Sequence, residues 1–104
     1  MKFICFTTTT DDKKIAENIC FNMISKGYSP CASYKTIKSN YKWNEKIICN
    51  NEYQIEIKTI NAYSEDVVKL ITKLNNYEIP QIISNNITLH NKEYKNWYLE
   101  CLNQ

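Results

Sequence analysis

The chain has 104 residues, is 43% hydrophobic and carries a formal net charge of +2. That is enough for one small domain, residues 1–104, with a modest core, and it argues for no strongly charged partner. All thirteen basic residues are lysines; without arginine the chain lacks the bidentate donor for phosphate, carboxylate or guanine, so nucleic-acid binding is disfavoured.

The opening stretch MKFICFTTTTDD has too short an apolar run for a signal peptide or a membrane span, so neither export nor membrane insertion is expected. Its β-prone residues 2–8 predict a central strand. Thr10 or Asp11 offers a helix cap, and Asp11 and Asp12 suit the positive end of a helix dipole. Ile15, Ile19 and Met23, with Ala16, Cys20 and Ile24, follow at helical spacing, and Gly27 supplies a left-handed stop, so residues 11–26 read as an amphipathic helix.

After Pro30, residues 31–43 and 46–60 are rich in Tyr, Thr, Ile and Trp. With Asn44-Glu45 as a tight turn they predict one long β-hairpin. In its second arm Tyr53, Ile55, Ile57 and Thr59 alternate with Glu52, Gln54, Glu56 and Lys58, which separates an apolar from a polar face. Ser64 is the expected cap of a second helix, with Val67, Val68, Leu70, Ile71 and Leu74 on its buried side. A strand is expected around 81–88 after Pro80. Asn91 is the expected cap of a last helix that buries Tyr94, Trp97, Tyr98, Cys101 and Leu102.

The order strand, helix, strand, strand, helix, strand, with a terminal helix added, is the split β-α-β pattern of a ferredoxin-like α+β fold. Both internal helices fall on one sheet face, and no further element is expected to cover the other. The hairpin is also longer than a domain of this size needs, and Tyr41 and Trp43 sit two apart at its wet tip, on one face. These features point to a partner, most simply another copy of the chain. The five cysteines (Cys5, Cys20, Cys31, Cys49, Cys101) are odd in number and form no CxxC; reduced, mostly buried thiols in a cytoplasmic protein are expected.

Six fragments in order resemble the CutA divalent-cation tolerance family: TTTTDD at 7–12, PCAS at 30–33, SNYKWNEKI at 39–47, Glu52 with IEIKT at 55–59, LNNYEIPQII at 74–83 and YKNWYLECL at 94–102. Glu45 stands where the family pattern has glycine, and the family's proline after the Thr-rich run is missing. The resemblance implies a ferredoxin-like homotrimer built like the PII signalling proteins, with sheets facing inward and long hairpins meeting across subunit boundaries. It also implies a link to metal tolerance and copper binding, and in eukaryotes to anchoring of membrane enzymes.

For metal the residues depart from that pattern. Asn75 replaces the family's metal-linked histidine, and Thr8 falls where some members carry a thiol. Cys31 is kept, but one thiol is not a site unless three copies meet on a threefold axis. His90, the sole histidine, reads as a surface or capping imidazole. At most weak binding of copper or another divalent cation is expected, with Cys31 as the candidate ligand. The family-matching set Tyr41, Trp43, Glu52, Lys58, Tyr77 and Glu78 is expected near a subunit boundary, serving assembly in the first instance and a small-ligand cleft in the second.

No enzyme is expected. There is no Ser-His-Asp set, and a Cys31–His90 dyad lacks any motif. Acylphosphatases of this fold class bind phosphate through an arginine, metallochaperones need a CxxC where TTTT stands, and an RNA-recognition motif needs glycines beyond Gly27. The alternative is a PII-like trimeric sensor that binds a small molecule or anion in the inter-subunit cleft, although no Gly-rich phosphate cradle is present.

Overall fold

The computed structural model describes residues 1–102; the last two residues of the expected domain lie outside the described residues. The elements are β1 (Phe3–Thr10), α1 (Lys13–Ser25), β2 (Cys31–Trp43), β3 (Lys46–Ile60), a 3-10 turn (Asn61–Tyr63), α2 (Ser64–Leu74), β4 (Ile83–Ile87) and α3 (Lys92–Cys101). The strands form one sheet in the order β2-β3-β1-β4, with every neighbouring pair antiparallel. This is the expected α+β architecture with a ferredoxin-like strand order.

Local chemistry sets the helix ends. Asp12, not Thr10 or Asp11, caps α1: its Oδ1 accepts from the backbone N–H groups of Lys14 at 2.8 Å and Ile15 at 3.3 Å. The Thr10 hydroxyl instead accepts from the Asp12 N–H at 3.2 Å and donates to Asn76 Oδ1 at 2.6 Å, so it does not cap the first turn. At the other end Gly27 has φ 75°, and the N–H groups of Gly27 and Tyr28 donate to the carbonyls of Ile24 and Met23. That is a Schellman stop, and the glycine serves it because a Cβ is costly at positive φ. Ser64 is the first residue of α2 and makes no cap; the preceding 3-10 turn leads the chain into the helix. Asn91 does cap α3, accepting from the Tyr94 N–H at 2.9 Å.

The main core lies between the sheet and the α1/α2 layer. It joins Phe6, Ile55 and Ile57 from the strands to Ala16, Ile19, Met23, Val67, Leu70 and Ile71 from the helices. The period-two pattern of β3 therefore sorts its faces as the alternation demands. Ile24 and Val68, placed on buried stripes by spacing alone, are exposed, because each helix meets a sheet only along its centre line.

The opposite sheet face is not bare, contrary to expectation. At one end α3 packs across it: Tyr98 and Leu102 join Ile60 in a second cluster. Tyr98 meets the Phe3 ring edge-on at 5.3 Å, and its hydroxyl donates to the Thr59 carbonyl at 2.6 Å. The expected wide buried stripe of α3 is corrected to Tyr98 and Leu102. Trp97 is 44% exposed, and Tyr94 and Cys101 are also exposed. A helix laid over the end of a sheet buries one narrow line of side chains.

β1 stops pairing at Thr10↔Tyr53, whereas β2 and β3 continue from Ile37↔Glu52 to Trp43↔Lys46. The hairpin thus overhangs the sheet as a two-stranded ribbon of roughly 20 Å. The molecule measures 46 × 25 × 20 Å with a radius of gyration of 14.5 Å, against about 13 Å for a compact chain of this length.

Candidate functional site: the groove under the hairpin ribbon

The ribbon supplies one wall of a groove of about 550 Å³. Tyr41 and Trp43 on β2 share a face with Ile48 and Glu52 on β3, because Tyr41 pairs with Ile48 and Ile37 with Glu52. The register is held at the tip by Asn44 and Glu45, both left-handed at φ 51° and 65°. A two-residue turn with both φ positive matches the strand twist, and asparagine tolerates that region; glutamate does so at a cost.

The segment after α2 supplies the other wall. Asn75 donates from Nδ2 to Thr8 Oγ1 at 3.3 Å and to the Thr9 carbonyl at 3.0 Å, and its Oδ1 accepts from the Tyr77 N–H at 2.9 Å. Asn76 Oδ1 accepts from the Thr10 hydroxyl at 2.6 Å, and its Nδ2 donates to Asp11 at 2.8 Å. These bonds lead the chain around the end of β1, from the helix face to the other face. Tyr77 arrives there with its hydroxyl donating to Glu52 Oε2 at 2.5 Å.

Glu52 is only 6% exposed, so the polar row expected along β3 is not uniformly solvated. Burial, then the hydrogen bond and charge of Glu52, push the Tyr77 hydroxyl far above its ordinary range; it stays protonated and remains a donor. Tyr41 and Trp43 stand at 39% and 48% exposure. They form the groove's rim, incompletely covered within one chain.

Five of the six site residues expected from sequence come together here: Tyr41, Trp43, Glu52, Tyr77 and Glu78 line the groove. Lys58 does not. It lies roughly 20 Å along β3 from Glu52, paired with Cys5 on one side and Cys31 on the other. Thr9, Ser39 and Gln81 also line the groove and were not legible in advance. Asn75, which replaces the family's histidine, and the adjacent Asn76 were the available signal for the chain crossing.

The residues present do not fit a divalent metal within one chain. Both amide atoms of Asn75 are engaged in the bonds described. Among the described residues no group of three His, Cys, Asp or Glu side chains could hold an ion. All five cysteines are free, but they are not mostly buried as expected: only Cys5 is buried, Cys20 and Cys31 are partly buried, and Cys49 and Cys101 are exposed. Burial lifts the Cys20 thiol from its ordinary 9.0 to about 11, which makes it a poor thiolate donor.

Residues 4–101 match the family model described as CutA1 divalent ion tolerance protein. The chain is 27% identical over 93 residues to the divalent-cation tolerance protein CutA of Pyrococcus horikoshii, covering 89% of this chain and 91% of that one. The crystal structure of CutA1 from the same organism superposes with a TM-score of 0.91 at 26% identity, over 97% of this chain and 99% of that one. The CutA1 structure from Oryza sativa gives 0.93 at 21% identity, over 100% and 96%, a likeness of fold. No helix among the described residues is long and apolar enough to cross a membrane.

Proposed function

Because the chain belongs to the CutA1 divalent ion tolerance protein family, we propose that it is a non-enzymatic, cytoplasmic homotrimer that takes part in the response to divalent cations and itself binds copper or similar ions only weakly. The observation that carries the assembly is the overhanging ribbon. It holds Tyr41, Trp43 and Ile47 away from the chain's own core with much of their surface in water. Covering the exposed half of one such ring recovers on the order of 1 kcal/mol per subunit, and a copy of the chain offers the simplest repeated cover. The sequence has no arginine, the phosphate-binding donor of acylphosphatases of this fold class, which supports a non-enzymatic role.

Light scattering coupled to size exclusion tests the assembly: a trimer mass at micromolar concentration is expected, and a monomer refutes it. Copper titration by calorimetry, with thiols held reduced by a non-chelating agent, tests the metal. Weak binding little changed by Cys31→Ser is expected; a tight stoichiometric site abolished by Cys31→Ser refutes that part. A second reading, a PII-like sensor of a small molecule, is favoured by one observation: the groove carries a buried carboxylate that assembly alone does not require.

A further inference from the structure

We propose that the groove binds a small organic cation, a primary ammonium on an apolar body, with Glu52 as the counter-charge and the Tyr41 and Trp43 rings as the walls. This deepens the sensor reading and rests on it. The groove's volume of about 550 Å³ falls in the range of small-molecule sites.

Its chemistry is one-sided. Glu52 lies among the most buried polar residues of the chain, yet its one side-chain hydrogen-bond partner among the described residues is the neutral Tyr77 hydroxyl. Buried carboxylates ordinarily carry a cationic partner, because desolvation penalises the charge strongly. The chain has thirteen lysines, and none lines this groove. Glu78 adds a second carboxylate at the mouth.

A second observation points the same way. Asn50 lies across from Ser39, a groove-lining residue, and its Oδ1 is buried with no hydrogen-bond partner. The groove therefore holds a buried carboxylate with no cationic side chain to meet it; the donors on its lining, among them Ser39, Asn40, Trp43 and Gln81, are neutral. Tyr41 and Trp43 add aromatic faces, and such faces attract ammonium groups through the ring quadrupole. An anion would face the Glu52 and Glu78 carboxylates, and a bare divalent ion finds too few converging ligands among the described residues.

The test uses the full chain in its native assembly, with benzylamine, benzyl alcohol and benzoate as probes followed by calorimetry and by the indole N–H signals in NMR. Benzylamine is expected to bind saturably and to shift the Trp43 indole. Benzyl alcohol and benzoate should bind about tenfold or more weakly, the loss of a charge-assisted bond. Glu52→Gln, which keeps an acceptor for Tyr77, should weaken benzylamine by a similar factor and benzyl alcohol much less. Equal binding of amine and alcohol, or benzylamine binding indifferent to Glu52→Gln, overturns the proposal. So does no binding at millimolar benzylamine, the result expected if a lysine of a neighbouring copy fills the groove. Mass and copper response recorded on the same samples separate the outcomes: a trimer that ignores benzylamine refutes this inference and leaves the tolerance-protein reading standing.

Discussion

Removing the hydroxyl of Tyr77 exposes how the groove is held together. In Tyr77→Phe the ring keeps its place, but Glu52, 6% exposed, loses the partner that sits 2.5 Å from its Oε2. A hydrogen bond to a charged group contributes roughly 1.5–3 kcal/mol, and stranding a buried charge costs the upper part of that range. We expect Tyr77→Phe to destabilise by about 2–3 kcal/mol per chain. Glu52→Leu alone strands a partly buried phenol, a smaller loss of about 1–2 kcal/mol. In the double variant both polar groups are gone and neither is left unsatisfied, so the pair should be more stable than Tyr77→Phe by itself. The assay is urea unfolding of the four proteins at one protein concentration, followed by circular dichroism. Additive losses in the double variant would refute the reasoning, because they would mean that Glu52 is solvated and Tyr77 acts only by packing.

Three further outcomes follow from the geometry. Glu45→Gly relieves a glutamate held at φ 65° and should stabilise the hairpin by about 0.5–1 kcal/mol after the entropy of the unfolded glycine is subtracted; an unchanged midpoint in urea speaks against the left-handed tip. Cys20→Ser bears on alkaline stability. Desolvation pushes the partly buried thiol up from an ordinary 9.0 to about 11, so the folded state holds the proton more tightly. Its contribution is complete below pH 9 and is lost as pH rises toward 11, and the stability difference between wild type and Cys20→Ser should shrink over that interval; a difference independent of pH refutes it. Tyr98→Ala should cost about 3–5 kcal/mol, and Trp97→Ala clearly less, since the first ring fills a buried cluster and the second is nearly half exposed; equal losses in thermal melts would place Trp97 in the core or in an interface.

Much of the architecture was legible in the chain because its signals are local. The two-residue alternation of 52–59, the stop at Gly27 and the cap at Asn91 each act within a few residues. Their outcomes depend on backbone periodicity and on hydrogen bonds to near neighbours. The strand order followed from the sequence of elements, which leaves few right-handed, unknotted connections. The family pattern carried the groove residues further, grouping Tyr41, Trp43, Glu52, Tyr77 and Glu78.

What the tertiary structure alone decided were matters of relative placement. Tyr94, Trp97 and Tyr98 sit on related turns of α3, and helical spacing cannot say which of them meets the sheet. That depends on α3 crossing at the Phe3–Ile60 end, where Tyr98 and Leu102 are buried, Leu99 packs beside them and the Lys95 ammonium lies over the Phe3 ring. Glu52 and Lys58 share a face of β3, but the strand's rise sets them far apart, and only the passage of residues 75–77 around β1 buries one of them. That passage rests on Asn75 and Asn76 bonding to Thr8, Thr9 and Thr10, partners more than sixty residues away. No local pattern encodes a hydrogen bond across that separation, because its geometry exists only once the sheet and both helices have already packed.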